Sequence, residues 1–218
     1  MLQSSHRRIE CYFDYRSPFP YLALAAVAEI SRRHDVESMW IPIRLPELSS
    51  YRERPMGHTL KKRNAYISLD MQRWARRREV VVRPPEVLLA AVERQQSPVL
   101  GRDHPLDTER LLRGAVVAAE RKIADVYLEA SMRAVWGRGE DPAAEATIAG
   151  VLDEIGESAG PFLAAIDQPS TAASLTRSTR EADARGVFGV PTFFVGDEMF
   201  WGQDRLDFVE EALESGGR

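Results

Sequence analysis

FDYRSPFPYLALA, Phe13 to Ala25, changes character midway: an apolar, strand-like run stops at Arg16, meets Ser17-Pro18-Phe19-Pro20, and resumes with helical character. Serine followed by proline is a helix-start signal. The hydroxyl accepts a bond from a free backbone N–H of the first turn, and proline at the first helical position gives up no donor that the helix needs. A helix is therefore expected from about Pro18 to His34, capped by Ser17. A strand precedes it near Ile9 to Asp14, and a second strand falls in VESMWIPIRL, Val36 to Leu45. Strand, helix and strand with short connections make a β-α-β unit, which places the two strands parallel.

Beyond this opening the pattern turns helical. Leu111, Leu112, Ala115, Val116, Ala119, Ile123, Val126 and Tyr127 recur at helical spacing, as do Tyr66, Leu69 and Trp74 within NAYISLDMQRWA. Lys61 to Arg63 and Arg73 with Arg76 to Arg78 flank the latter and read as a solvated helix face, or as attraction for an anionic small molecule into a nearby cleft. Asp141-Pro142 has the form of a cap followed by a first helical residue, and Gly156 is placed to close that helix. Gln95 to Pro105 reads as a loop. A further helix is expected from Ser170 to Arg185, stopped by Gly186. Then GVFGVPTFFVGDEMFWGQDRL, Gly186 to Leu206, offers two strands, Thr192 to Val195 and Glu198 to Trp201, around a Gly196-Asp197 turn. Asp204 is expected to open a last amphipathic helix through Leu206, Val209 and Leu213. That order is expected of an α/β, thioredoxin-like fold interrupted by an all-helical insertion. Residues 1–45 and 169–218 would form the thioredoxin-like domain, and 46–168 the insertion.

Composition narrows the function. The 218 residues, 44% of them apolar, suit one domain carrying a large insertion. Basic residues number 29 and acidic 33, for a net charge of −4, which argues against nucleic acid as a partner. No apolar run approaches the length of a membrane span, and the first residues lack the form of a secretory signal, so a cytoplasmic location is expected. His6, His34, His58 and His104 have no ligand spacing, and no metal site is assigned. The single cysteine, Cys11, lies in the apolar run IECYF and reads as a small buried hydrophobe.

Ser17 has two readings. It can be a helix cap and nothing more. Alternatively, the helix N-terminus faces a crevice, where the positive end of the macrodipole stabilises an anion, and the hydroxyl can donate to a thiolate.

Four separated motifs, FDYRSPFPYLA, DMQRWA, RAVWGRG and GVFGVPTFFVGDEMFWGQDRL, together resemble the glutathione-dependent 2-hydroxychromene-2-carboxylate isomerases, relatives of the kappa-class glutathione transferases. The resemblance implies a homodimer that uses reduced glutathione as a catalytic thiol on a small-molecule substrate; no membrane partner is expected, since no apolar run is long enough to span a membrane. It implies that Ser17 holds the glutathione sulfur at the position where thiol-disulfide enzymes carry the first cysteine of C-x-x-C. Since Ser17-Pro18-Phe19-Pro20 has no thiol, disulfide exchange there is chemically excluded. It further implies that Val190-Pro191 is a cis-proline step whose backbone meets the cysteinyl part of glutathione, and that Asp204 and Arg205 grip its γ-glutamyl end. Phe19, Trp74 and Trp201 are candidate aromatic walls for the substrate. One departure is Glu53, in Glu53-Arg54-Pro55-Met56-Gly57, where relatives often carry asparagine. An acid there would repel the glycyl carboxylate of glutathione, so another low-molecular-weight thiol stays open.

The implied chemistry is reversible thiolate addition to an electron-poor carbon of a conjugated, carboxylated ring, rotation about the former double bond, and elimination of the thiol. A conjugating transferase or thiol peroxidase would share the thiol site. So would a thiol-binding module with no catalysis.

Overall fold

The strand-helix-strand opening folds as its sequence dictates. In the computed structural model, which describes residues 8–52, 59–93 and 104–216, strand β1 (Arg8–Phe13) pairs in parallel with β2 (Glu37–Pro42), and helix α1 (Pro18–His34) crosses between them. Ser17 has extended backbone angles, φ −111° and ψ 131°, and caps α1 with Pro18 in its first turn. At the far end Asp35 adopts the left-handed conformation, φ 50°, and the last turn carries Arg32, Arg33 and His34, which complement the negative end of the helix.

Strands β3 (Thr192–Val195) and β4 (Glu198–Trp201) complete the sheet in the order β2-β1-β3-β4, with β3 antiparallel to both β1 and β4. Side chains alternate across it, as the two-residue period of a strand requires. Ile9, Cys11, Phe13, Phe193 and Val195 enter the core shared with α1, whereas Tyr12 and Phe194 point the other way, toward Ile43, Leu45, Leu48 and Ala182. Cys11 is fully buried and burial raises its thiol pKa, so it is the small hydrophobe expected.

Between β2 and the last helix pair lie a short turn of helix at Leu45–Glu47, then α2 (Ser49–Arg52), α3 (Thr59–Arg77), α4 (Glu86–Glu93), α5 (Glu109–Glu120), α6 (Ala124–Met132), α7 (Glu145–Glu154) and α8 (Ala159–Ile166). Helix α9 (Pro169–Ala184) returns the chain to the sheet, and α10 (Leu206–Ser215) ends it. The end of α6 widens into a π turn over Arg133–Arg138. Aromatic packing joins the helices: Tyr127 of α6 stacks on Phe162 of α8 with ring centroids 5.5 Å apart.

Four local expectations need correction. The apolar pattern from Leu111 to Tyr127 spans two helices, α5 and α6, separated by a turn in which Lys122 has φ 61°, and Val126 is exposed. Pro142 does not begin α7. The Asp141 carboxylate accepts the Ala143 N–H at 3.0 Å and its carbonyl accepts the Thr147 hydroxyl at 2.7 Å, a local turn that delays the helix to Glu145. Asp204 does not cap α10, which starts at Leu206 after Arg205. On α3 the buried face is Met71 and Ala75, while Tyr66 and Leu69 are exposed. Gln95 to Asp103, within the stretch read as a loop, and Lys61 to Arg63, as side chains, lie outside what the structure describes.

Candidate active site

The N-terminus of α1, the loop before β3 and the turn after β4 surround a cavity of about 620 Å³, within the range of about 300–1,000 Å³ usual for small-molecule sites. Ser17 sits at its centre of interest. Its hydroxyl accepts the Phe19 N–H at 3.3 Å and donates to the Val190 carbonyl at 3.4 Å, and the Val190-Pro191 peptide bond is cis. The capping reading of Ser17 is thus borne out. The same hydroxyl also reaches across to the loop expected to meet a bound thiol.

The loop that carries Ser17 is anchored from below. Asp14 is fully buried, and its Oδ1 accepts the Arg16 N–H at 2.9 Å and the Thr108 hydroxyl at 3.1 Å, while its Oδ2 accepts the Leu45 N–H at 2.9 Å. Burial pushes its pKa up, against the opposing pull of Arg16 and these hydrogen bonds. Trp136, in the motif RAVWGRG, donates its indole N–H to the Tyr15 carbonyl at 2.9 Å, and the Tyr15 hydroxyl is 2.8 Å from that of Ser131. Helix α6 and the π turn after it therefore hold the strand-to-helix loop through buried hydrogen bonds.

On the far wall, Gly202 to Arg205 form a turn. Asp204 and Arg205 are exposed there and 3.6 Å apart, and Gln203, 2% exposed, has an Oε1 with no hydrogen-bond partner among the described residues. The Gln203 carbonyl accepts a bond from Arg78 at 2.8 Å. Arg78 thus leaves the solvated face expected of the basic cluster and ties the end of α3 to this turn. Burial, followed by the nearby charge of Arg77, lowers its pKa. An aromatic pair, Phe188 and Trp201, stands on the same cavity with centroids 4.8 Å apart.

Ser17, Phe19, Val190, Pro191, Trp201, Asp204 and Arg205 all line this one cavity, although they come from three distant stretches of sequence. Trp74 does not line it. Its ring packs against the core, with the guanidinium groups of Arg77 and Arg78 5.2 and 5.3 Å from its centre. Glu53 lies outside the described residues. Arg16, His104, Phe188 and Gln203 line the cavity without having been singled out as site residues from the sequence. For Arg16 and Gln203 the signal was adjacency to Ser17 and Asp204. His104 offered none beyond being a histidine. It lies on the wall with Nδ1 accepting the Leu106 N–H at 3.1 Å, and burial, then the charge of Arg16, pushes its pKa down to about 3.

This geometry defines a thioredoxin-fold protein with Ser17-Pro18-Phe19-Pro20 at the start of its first helix and its one cysteine buried in β1. The chain belongs to the family of DSBA-like thioredoxin domains, whose family model matches residues 8–214. Among curated proteins it is 28% identical to a 2-hydroxychromene-2-carboxylate isomerase of Sphingobium xenophagum over 209 residues, 95% of this chain and 98% of the relative. It is also 28% identical to one of Pseudomonas putida over 207 residues, 94% of this chain and 93% of the relative. A solved structure of a 2-hydroxychromene-2-carboxylate isomerase superposes with a TM-score of 0.79 at 27% identity, covering 95% of each chain. A probable DsbA oxidoreductase from Streptomyces coelicolor shares the fold, with a TM-score of 0.62 at 20% identity over 98% of this chain and 92% of that one. The resemblance read from the four motifs is borne out by these matches.

Proposed function

We propose that the protein is a glutathione-dependent isomerase acting on a carboxylated, conjugated ring compound of the 2-hydroxychromene-2-carboxylate type, in the breakdown of aromatic compounds. The observation that carries the reading is Ser17. A hydroxyl replaces the nucleophilic thiol of the fold, at a helix N-terminus, facing Val190 in a cavity of ligand size. The chain has no thiol of its own to offer there, since burial holds the Cys11 pKa well up inside the sheet. The printed names of the relatives supply the reaction class.

The residues present suit a zwitterionic thiol peptide. Asp204 and Arg205 at the rim offer one charge of each sign to an α-amino acid group, and the Gln203 Oε1 beside them, without a hydrogen-bond partner among the described residues, leaves a buried acceptor for an ammonium. Bound glutathione would supply a thiolate that adds reversibly to a conjugated carbon and leaves again after the bond has turned. Ser17 holds the sulfur with its O–H, and the α1 N-terminus lends its partial positive charge. Phe19, Phe188 and Trp201 present aromatic surface to the ring. A reduced thiol as cofactor and a lone buried cysteine suit the cytoplasm, and a homodimer belongs to the same reading.

The test is to incubate the protein with 2-hydroxychromene-2-carboxylate, with and without glutathione, and to analyse both partners by chromatography and mass. The expected result is thiol-dependent isomerisation with glutathione returned unchanged. A glutathione conjugate would make the protein a transferase, and oxidised glutathione formed with a peroxide would make it a peroxidase. Binding without turnover would leave a thiol-binding module. Sedimentation of the same preparation checks the dimer.

A further inference from the structure

A ring acid brings a fixed negative charge into the cavity, and the lining must answer it. Among the described residues, the permanent cations on that lining are Arg16 and Arg205, set against two carboxylates, Asp70 and Asp204. Arg205 lies 3.6 Å from the Asp204 carboxylate. Arg16 is different. Its Nε donates to the Leu106 carbonyl at 3.1 Å, while its terminal nitrogens come no nearer to a carboxylate among the described residues than 3.9 Å, at Asp14 Oδ2. Asp14 already accepts from the Arg16 and Leu45 N–H groups and the Thr108 hydroxyl. The fork of the guanidinium is thus aimed by a backbone carbonyl and keeps capacity to spare.

Leu106 positions a second donor as well. Its N–H is accepted by Nδ1 of His104, so a neutral imidazole there must carry its proton on Nε2. That Nε2 is buried and has no hydrogen-bond partner among the described residues. A buried donor without an acceptor costs free energy that an entering oxygen relieves. The backbone of one residue therefore holds both a cation and a neutral donor, both from residues that line the cavity, and Arg16 is the chain neighbour of Ser17.

We infer that Arg16 and His104 form the carboxylate-reading corner of the cavity and determine specificity by holding the acid group of the ring substrate beside Ser17. The inference rests on the isomerase reading. It separates the roles of the two arginines: Arg205 serves the thiol peptide, and Arg16 serves the substrate.

The test uses 2-hydroxycinnamate and its carboxamide as probes of equal shape, titrated calorimetrically into the full-length protein with and without saturating glutathione. The unaltered protein should bind the acid at least tenfold more tightly than the amide, the fold-change of a charge-assisted hydrogen bond. Arg16→Met should bring that ratio close to one and leave glutathione affinity within twofold. His104→Phe should lower affinity for the acid severalfold and barely alter that for the amide. Arg16→Lys, which keeps the charge and loses the fork, should give an intermediate ratio, and it decides the matter alone should Arg16→Met fail to fold. An acid-to-amide ratio unchanged in the Arg16 variants would overturn the inference. So would a loss of glutathione affinity in place of the ratio, which would assign Arg16 to the glycyl carboxylate. Failure of the unaltered protein to bind glutathione would sink the isomerase reading, while the ratio measured without thiol would still judge Arg16.

Discussion

Replacing Ser17 by alanine separates two roles that one hydroxyl performs. As an acceptor it caps α1 through the Phe19 N–H at 3.3 Å, and as a donor it reaches the Val190 carbonyl at 3.4 Å. Both contacts are long for hydrogen bonds of their kind. Loss of the cap should therefore cost near the lower end of the usual scale, about 0.5–1 kcal/mol of folding stability. Turning the hydroxyl proton from Val190 to a thiolate gives up only a weak bond. The gain is a charge-assisted one, about 1.5–3 kcal/mol. At about 1.4 kcal/mol per pKa unit, that lowers the bound thiol by roughly one to two units from the free value of about 8.5. Ser17→Ala should raise the bound glutathione pKa by the same amount, and the rising limb of the pH–rate profile should move with it. The assay is thiolate absorbance against pH in the protein–glutathione complex, beside denaturant unfolding of both proteins. A titration that stays in place while stability falls would show that Ser17 is a cap alone and refute the reasoning.

Arg205→Ala should weaken glutathione binding about tenfold or more by titration, and free cysteine, which lacks the γ-glutamyl extension, should bind the unaltered protein no better than the variant binds glutathione. Gly114→Ala would place a Cβ 2.0 Å from the Tyr127 hydroxyl between α5 and α6, so unfolding in urea should show a loss of about 1–3 kcal/mol. His104 binds its proton far more weakly folded than unfolded, with a folded pKa of about 3 against an ordinary 6.5. The unfolded chain thus takes up a proton first as pH falls. The stability this neutral ring contributes is complete above about 6.5 and drains away toward 3, and His104→Gln should remove about 2 kcal/mol of the loss seen between pH 7 and pH 5.

The parts of the fold that were legible in the sequence are those set by neighbouring residues. Helix α1 runs from Pro18 to His34 as expected because its cap and first proline are adjacent, and the β3–β4 arms follow from the turn between them. The errors arose where a local signal had two outcomes. Asp141 can start a helix or fold back on itself in a turn, and it does the second. The periodicity that spans α5 and α6 keeps its phase across the break at Lys122, so the break leaves no mark in the pattern. The site was legible where motif order carried it: Ser17, Val190, Pro191, Asp204 and Arg205 meet in one cavity. Arg16 and His104 were not, because what distinguishes them is a shared contact with the backbone of Leu106. No spacing rule connects a residue to one 90 positions away.

The Asp14 carboxylate has a consequence for how such a protein changes over time. One of its oxygens takes the backbone of Leu45, where the chain has just left β2, and the other takes the hydroxyl of Thr108, immediately before α5. The intervening stretch is therefore clamped at both ends to one side chain, three positions before Ser17. Exposed residues between the clamps can be exchanged while their two points of attachment stay put. The Ser17 end of the cavity is thereby braced against such drift, whereas the Gln203 turn, which Arg78 ties to this stretch, is the part of the site that feels it.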